Sequence, residues 1–286
     1  MKIGHIINPV AVDSASELGI AQKITLETMK LAKRFTRKVN KNISVELFCV
    51  GYPEDAPAMP EGFTKLPDLN RSILDIKEFQ TPRELPLFKD MLDRLYQCTL
   101  DVDYLIQTNI DISLMPHFYL TVASLIEKGY DSLIINKRII PRFYSKIEEI
   151  PEMYAELGTD HNGYDCFVFR RDLYPKFELG DICMGTPWSE TTLTANMVAY
   201  SKNTTVIKRP HLTFHIGDSR TWMQLHDYRE HNTGEFAKIL LELSLDKPEI
   251  LKNDILQWLI YKMKHELMPH YSEACHTLCN LTTSLR

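Results

Sequence analysis

Residues 102–119, VDYLIQTNIDISLMPHFY, contain the strand and the loop that decide the predicted fold. The apolar run at 104–106 is typical of a buried strand. The triplet Asn109-Ile110-Asp111 follows where such a strand leaves its sheet, and Pro116 suits the first turn of a helix. In open α/β sheets, ligands bind outside the carboxyl ends of the strands. We therefore predict that Asp111 meets a substrate or a metal ion.

The acidic residues around this strand have alternative roles. A literal Asp-x-Asp, Asp101-Val102-Asp103, precedes the strand. We expect it at the amino end of the sheet, as a solvated turn away from the ligand edge. Asp111 has a second interpretation, as a carboxylate that interacts favourably with the N-terminal end of the following helix.

The composition is that of an ordinary soluble globular protein, with 286 residues, 44% hydrophobic and 25% charged. The net charge of −5 and the pI near 6.1 argue against a nucleic-acid-binding protein. No run approaches the roughly 20 apolar residues of a membrane span, and no signal peptide is recognised. The six cysteines lack the spacing of a disulfide scaffold. We therefore expect a cytoplasmic protein with free thiols.

Strand and helix patterns alternate along the first half of the chain, which predicts a mainly parallel sheet with right-handed crossovers. We expect strands at 2–7, 44–50, 63–69, 104–106 and 131–136, and helices at 18–39, 87–99 and 116–129. No GxGxxG or P-loop motif follows the first strand, so neither a classical dinucleotide fold nor a P-loop ATPase is indicated. The loop Asn8-Pro9-Val10 at the end of that strand is a candidate nucleotide contact.

The second half of the chain begins with two segments of mixed character. Residues 139–157 contain two prolines and mixed charge, and we expect them to cover the active site rather than to join the core. Residues 158–163 are expected to form a flexible polar loop before a further strand. Asp165 is placed at the beginning of that strand and is a candidate catalytic carboxylate.

The stretch from His211 to Asp218 holds candidate metal ligands. Strand alternation places His211 and His215 on one face. Two imidazoles near Asp218 could complete a metal site begun by Asp111. The alternative for His215 is a structural role in the core.

Three further side chains, Glu190, Trp188 and Arg71, are candidate contacts to a ligand. Glu190 lies in the first turn of a predicted helix, where it could accept the proton of a hydroxyl group. Trp188 beside it would offer a flat face for a sugar ring. Arg71 is a candidate contact to a phosphate or a base, because a guanidinium suits bidentate acceptors. The alternatives are a helix N-terminal charge for Glu190 and a surface role for Arg71.

The strand-loop with Asn109-x-Asp111 resembles that of GT-A fold nucleotide-sugar glycosyltransferases (family 2-like), whose Asp-x-Asp motif holds a divalent metal against the sugar-nucleotide diphosphate. Asparagine replaces the first acid here, which leaves one anionic ligand. The stretch around Glu190 resembles the xED motif of inverting GT-A enzymes, with serine before the acid. His215 resembles the late histidine that some of these enzymes use as a metal ligand.

This resemblance implies an α/β, GT-A-like, mainly parallel Rossmann-like sheet flanked by helices in residues 1–222. A helical C-terminal appendage in 223–286 would contain helices at 235–244 and 248–267. It is a candidate surface for a homodimer.

The implied function is transfer of a sugar from a nucleotide-sugar donor to a glycan or other hydroxyl acceptor. The transfer would be assisted by Mn²⁺ or Mg²⁺ and would proceed with inversion. Asp111 and His215 would bind the metal, and Glu190 or Asp165 would act as the base. Neither a nucleic acid nor a membrane span is expected. The alternatives are a non-catalytic nucleotide-sugar or glycan-binding protein of the same fold, and a sugar-nucleotide nucleotidyltransferase.

Overall fold

The computed structural model of the protein describes residues 1–218 and 225–266. These residues form two compact units. Unit 1 consists of 1–70, 93–174 and 202–218. Unit 2 consists of 71–92, 175–201 and 225–266. Two of the six cysteines, Cys275 and Cys279, lie outside the described residues.

The strands of the described residues form one sheet, which lies in unit 1. They are β1 Lys2–Ile7, β2 Ser44–Cys49, β3 Thr64–Lys65, β4 Tyr104–Thr108, β5 Ser113–Leu114, β6 Ser132–Ile140, β7 Thr159–Arg170, β8 Thr204–Ile207 and β9 Thr213–Ile216. The α-helices are α1 Glu17–Val39, α2 Phe88–Cys98, α3 Phe118–Glu127, α4 Ile150–Ala155, α5 Ser189–Tyr200, α6 His226–Asp246 and α7 Asp254–Glu266.

The strand order is β3-β2-β1-β4-β7-β6-β9-β5, with β8 paired to β6 outside this path. Strand β1 is parallel to β2 and β4, and β6 is parallel to β8 and β9. Strand β7 runs antiparallel between β4 and β6. The predicted α/β class with a mainly parallel sheet is therefore confirmed, although the sheet is partly antiparallel.

Helix α1 shows how local sequence sets an element of this fold. Its N-cap Ser16 accepts a hydrogen bond from the backbone N–H of Gly19, which satisfies one of the free donors of the first turn. Arg37 and Lys38 in the last turn suit the negative end of the helix dipole. One apolar cluster joins α1 and α3 to β1, β2 and β4. The helices therefore hold the strands whose ends carry the candidate site.

The segment 139–157 is part of the core, so the prediction that it only covers the active site is wrong. Tyr144, Ile150 and Met153 are buried in one cluster with Phe214 of β9. The polar stretch 158–163 was expected to be a loop, but its residues from Thr159 onward belong to β7. Pairing with β6 determines this conformation, although the residues themselves have little apolar character.

The C-terminal helices were predicted at 235–244 and 248–267. The structure has α6 at His226–Asp246 and α7 at Asp254–Glu266. Unit 2 groups these helices with 71–92 and 175–201. The domain boundary at residue 222 stays a prediction. No helix in residues 1–218 and 225–266 is long and apolar enough to cross a membrane.

A buried histidine links β1, β4 and α3. His5 is fully buried, and its Nδ1 lies 2.8 Å from Tyr119 Oη while its Nε2 lies 2.9 Å from Thr108 Oγ1. Burial lowers the pKa of His5 to about 3. The ordinary histidine pKa is about 6.5, so the unfolded chain binds a proton that the folded chain rejects between these two values. Folding is therefore penalised as the pH falls below about 6.5.

We predict that His5 reduces the free energy of unfolding by about 2 kcal/mol between pH 7.5 and pH 5, because each pKa unit corresponds to about 1.4 kcal/mol. Denaturant unfolding of the parent and of His5→Gln at pH 7.5 and at pH 5 measures the contribution of His5. The free energy of unfolding of His5→Gln should change less between these pH values, by about 2 kcal/mol. The control His117→Gln, at an exposed site, should show the same change as the parent. An unchanged dependence in His5→Gln would show that another group is responsible.

Candidate active site

The register of three neighbouring strands brings polar residues to one edge of the sheet. Thr108 at the end of β4 pairs with Cys166 of β7, and Cys166 pairs with Ile135 of β6. Asn109, just after β4, and Asp165, just before Cys166, therefore lie at the same edge. Strand β6 runs in the same direction as β4, so the residues after Ile135 reach this edge as well. This is the carboxyl edge of β1, β2 and β4, where ligands bind in open α/β sheets.

Asp111 and His215, both predicted metal ligands, lie in contact. The turn after β4 is closed by a hydrogen bond from the Ile112 N–H to the Asn109 carbonyl, 3.2 Å long. It presents Asp111 Oδ2 at 3.1 Å from His215 Nε2. The other ring nitrogen of His215, Nδ1, donates to the Gly217 carbonyl at 2.6 Å, because a carbonyl can only accept. Nε2 is therefore the nitrogen directed at Asp111.

The carboxyl group of Asp111 is held in its charged form. Burial would raise the pKa of Asp111, but the hydrogen bond with His215 and the charges of His215 and Lys137 together hold it below its usual value. The His215 side chain is 7% exposed and that of Asp111 is 30% exposed, so the carboxylate keeps access to solvent. An ionised, accessible carboxylate beside an imidazole is a suitable pair for a divalent cation.

Asp165 forms an ion pair with Lys137, a residue that the sequence did not single out. Lys137 Nζ lies 3.2 Å from Asp165 Oδ2, and both side chains are only 12–13% exposed. Asn109 Nδ2 lies 3.5 Å from the other oxygen of Asp165. Gln107 Nε2 lies 3.3 Å from Asn109 Oδ1 and continues the polar chain. The signal for Lys137 was a charged residue directly after an apolar strand.

His161 and Asn136 complete the polar edge. Asn136 is buried, and its Nδ2 donates to the carbonyls of His161 and Gly163, so it fixes the start of β7 to β6. Partial burial and the charge of Lys137 lower the pKa of His161. The Gly163 N–H donates to His161 Nδ1 at 2.8 Å. The neutral ring therefore carries its hydrogen on Nε2, which makes that atom a donor.

The loop after β1 is held firmly by the rest of unit 1. Asn8 Nδ2 donates to the Val50 carbonyl at 2.7 Å. The backbone of Val10 exchanges two hydrogen bonds with the Gln22 amide. Pro9 between them is buried. The loop therefore has a defined shape at the carboxyl edge, and its contact with a nucleotide stays a prediction.

Arg71 lies in unit 2, where Asp90 holds its guanidinium. Arg71 Nε and Nη2 each lie 2.7 Å from an oxygen of Asp90, in a bidentate arrangement. Asp90 is buried, and its hydrogen bond to Arg71 is the main cause that raises the arginine pKa. A phosphate would have to compete with this carboxylate. The nucleotide contact of Arg71 stays a prediction.

Glu190 also lies in unit 2, in the first turn of α5. The Ser189 hydroxyl donates to Glu190 Oε2 at 2.8 Å. Trp188 is 3% exposed and stacks on Phe236 with ring centroids 5.1 Å apart. The prediction that Trp188 offers a free face to a sugar ring is therefore wrong, because that ring packs in the core of unit 2. Trp188 has φ 82°, a left-handed conformation that is rare outside glycine.

Asp101 and Asp103 lie at the other end of the sheet, as expected. The backbone N–H of Lys2, at the start of β1, donates to Asp103 Oδ2 at 2.7 Å, and the Lys2 ammonium pairs with Asp101. Both acids therefore belong to the amino edge. The literal Asp-x-Asp is a strand-entry turn.

Asp111 and His215 are the two side chains that could bind a metal ion. Within residues 1–218 and 225–266, no group of three or more His, Cys, Asp and Glu side chains is arranged to hold a metal ion. The chemistry of Asp111 and His215 nevertheless suits a metal ion. A metal-binding histidine usually donates its second N–H to a carbonyl, as His215 does to Gly217. A magnesium-type ion takes few protein ligands and completes its shell with water and substrate phosphates.

Comparison with known proteins identifies the fold. No protein-family model matches the sequence, and a search of curated proteins gives no match. The crystal structure of S. aureus TarS 1-349 in complex with UDP-GlcNAc is similar, with a TM-score of 0.50 and 10% sequence identity over 88% of this chain and 70% of that chain. The same TarS segment in complex with UDP has a TM-score of 0.40 and 11% identity over 85% and 70% of the two chains. The UDP-GlcNAc complex shows that this chain has a GT-A-like fold.

Proposed function

We propose that this protein is a glycosyltransferase that moves a sugar from a nucleotide-sugar donor to an acceptor hydroxyl. The observation that supports the proposal best is the polar cluster at the carboxyl edge of a GT-A-like sheet, where Asn109, Asp111, Asp165 and His215 meet. TarS, whose fold is similar, was crystallised with UDP-GlcNAc and with UDP. A uridine diphosphate sugar is therefore the first donor to test.

Asp111 and His215 would hold the divalent cation, Mn²⁺ or Mg²⁺. When bound, such an ion neutralises the negative charge that develops on the departing diphosphate. The protein contributes by holding these two side chains in position. The turn after β4 directs the Asp111 carboxylate outward, and the Gly217 carbonyl orients the His215 ring. The low pKa of Asp111 keeps this carboxylate ionised at neutral pH.

Two carboxylates are candidates for the general base. Glu190 lies near the N-terminal end of α5, which favours its ionised form, and a general base needs that form and reach to the acceptor hydroxyl. Asp165 lies within the polar cluster, but its carboxylate is already engaged by Lys137, whose Nζ lies 3.2 Å from Oδ2. We favour Glu190 as the base. Direct displacement by the activated hydroxyl would then invert the configuration of the sugar.

A non-catalytic nucleotide-sugar or glycan-binding protein is the second candidate. Asn109 stands where the resembling enzymes have the first acid of their motif. Loss of that carboxylate weakens metal binding more than it weakens contacts to the nucleotide. A calorimetric screen of UDP-, GDP-, CMP- and dTDP-sugars, with and without manganese, tests binding by either candidate. Only an enzyme also releases free UDP when an acceptor is supplied. A glycan acceptor, a cytoplasmic location and a homodimer through the C-terminal helices are further predictions.

We predict that Asp111→Asn weakens manganese-supported UDP-sugar binding by at least about tenfold, because an anionic metal ligand is replaced by a neutral amide of the same shape. Asp101→Asn, at the amino edge, is the matched control and should bind like the parent. Titration calorimetry with thermal melting of each variant checks both statements. Equal losses in both variants, or a loss confined to Asp101→Asn, would contradict the placement of the site.

We predict that Glu190→Gln binds nucleotide-sugar like the parent but transfers sugar at least about a hundredfold more slowly, because a general base contributes about 10²–10⁴-fold to the rate. Donor affinity by calorimetry and UDP release with an acceptor separate these two effects. Asp165→Asn is the comparison variant. If Glu190→Gln keeps its rate while Asp165→Asn loses it, the base is Asp165.

A further inference from the structure

Lys137 is a nearly buried cation at the centre of the polar cluster. It lies in β6, next to Asn136, where the pairing of β6 with β7 is irregular. Its side chain is 12% exposed, and its Nζ lies 3.2 Å from Asp165 Oδ2. On the other side of β6, Ile139 pairs with His215 of β9. Lys137 therefore lies between the strand that carries Asp165 and the strand that carries His215.

The cluster contains two carboxylates together with the cation of Lys137. Asn109 contributes a neutral amide, and Asp111 and Asp165 contribute one carboxylate each. The charge of Lys137 helps to lower the pKa of Asp111 and also acts on His161. A cation removed from water is costly unless an anion compensates it, and Asp165 provides that compensation in this structure.

The neighbouring cation, Arg138, has a different role. Its Nη1 lies 2.7 Å from Asp160 Oδ1, and its Nη2 donates to the Gly158 carbonyl at 2.8 Å. These contacts join the first residues of β7 to the end of β6. Arg138 is thus a structural clamp, whereas Lys137 directs its charge to the edge where Asn109 and Asp111 lie.

We propose that Lys137 binds the diphosphate of the nucleotide-sugar donor and supplies part of the positive charge that offsets the negative charge of the diphosphate. This inference rests on the proposed function. An ammonium carries three N–H donors, so it can hold a carboxylate and a phosphate oxygen together. Lysine is a common phosphate-binding residue, and a point charge shielded from water acts more strongly than one in solvent. Diphosphate binding therefore persists, in weakened form, when divalent metal is removed.

The test compares UDP and uridine, which differ only in the diphosphate, in calorimetric titrations with excess EDTA and with Mn²⁺. Lys137→Met should weaken UDP binding by about tenfold to a hundredfold in both conditions, as expected for the loss of a charged hydrogen bond. Uridine affinity should not change. Lys137→Arg should restore part of the UDP affinity, and Lys128→Met, at an exposed position of unit 1, should bind like the parent.

If Lys137→Met alone does not fold, the double variant Lys137→Met/Asp165→Asn replaces it in the test. The double variant removes both charges of the ion pair, so neither position is left with an unpaired charge. UDP binding equal to that of the parent in a folded variant would overturn the role of Lys137 and leave the proposed function intact. Equal losses for UDP and uridine would overturn the diphosphate contact in favour of a structural role. A parent that binds no UDP in either condition would overturn the proposed function together with the inference.

Discussion

The site depends on one constraint, the antiparallel insertion of β7 between β4 and β6. The pairs Thr108–Cys166 and Cys166–Ile135 place the end of β4 level with the interior of β7 and of β6. This register places Asn109, Asp165 and Lys137 side by side, although they are far apart in the sequence. A shift by one residue would turn every side chain of β7 to the opposite face, so the apolar run at 166–169, which is fully buried, effectively fixes the position of Asp165.

Polar groups inside unit 1 hold this edge in place. His5 contacts Thr108, the last residue of β4, and Tyr119 of α3, so the strand that leads to Asn109 is tied to its neighbours just below the turn. Asn136 fixes the beginning of β7 through two carbonyls. The Gly217 carbonyl orients His215 in the same way. The groups that would bind a ligand therefore rest on side chains and carbonyls whose own hydrogen bonds are satisfied, which is how a site is held ready for its substrate.

Local patterns were sufficient to predict the strand-turn-helix that carries Asp111, because an apolar run, a turn and a helix start are each encoded within a few residues. The meeting of Asp111 with His215 was expected from strand alternation, which suggested a shared metal site, and from the resemblance. In the structure the two side chains lie 3.1 Å apart. The pairing of Lys137 with Asp165 and the strand at 159–163 could not be found this way. Both are consequences of pairing between distant strands, and polar residues at a functional edge lack the alternation that identifies a strand. The prediction for Trp188 was wrong for a related reason, because only the fold shows that Phe236 stacks on its ring.

A crystal structure of the protein grown with UDP and Mn²⁺ tests the central claim most directly, because it locates the ligand rather than inferring its position from a loss of binding. The account predicts density for the diphosphate at the carboxyl edge of the sheet, next to Asn109, Asp111 and Lys137. The opposite edge has an open groove of about 430 Å³, lined in part by Asp103, Tyr104 and Arg170. Density for UDP in that groove, with the carboxyl edge empty, would contradict the account.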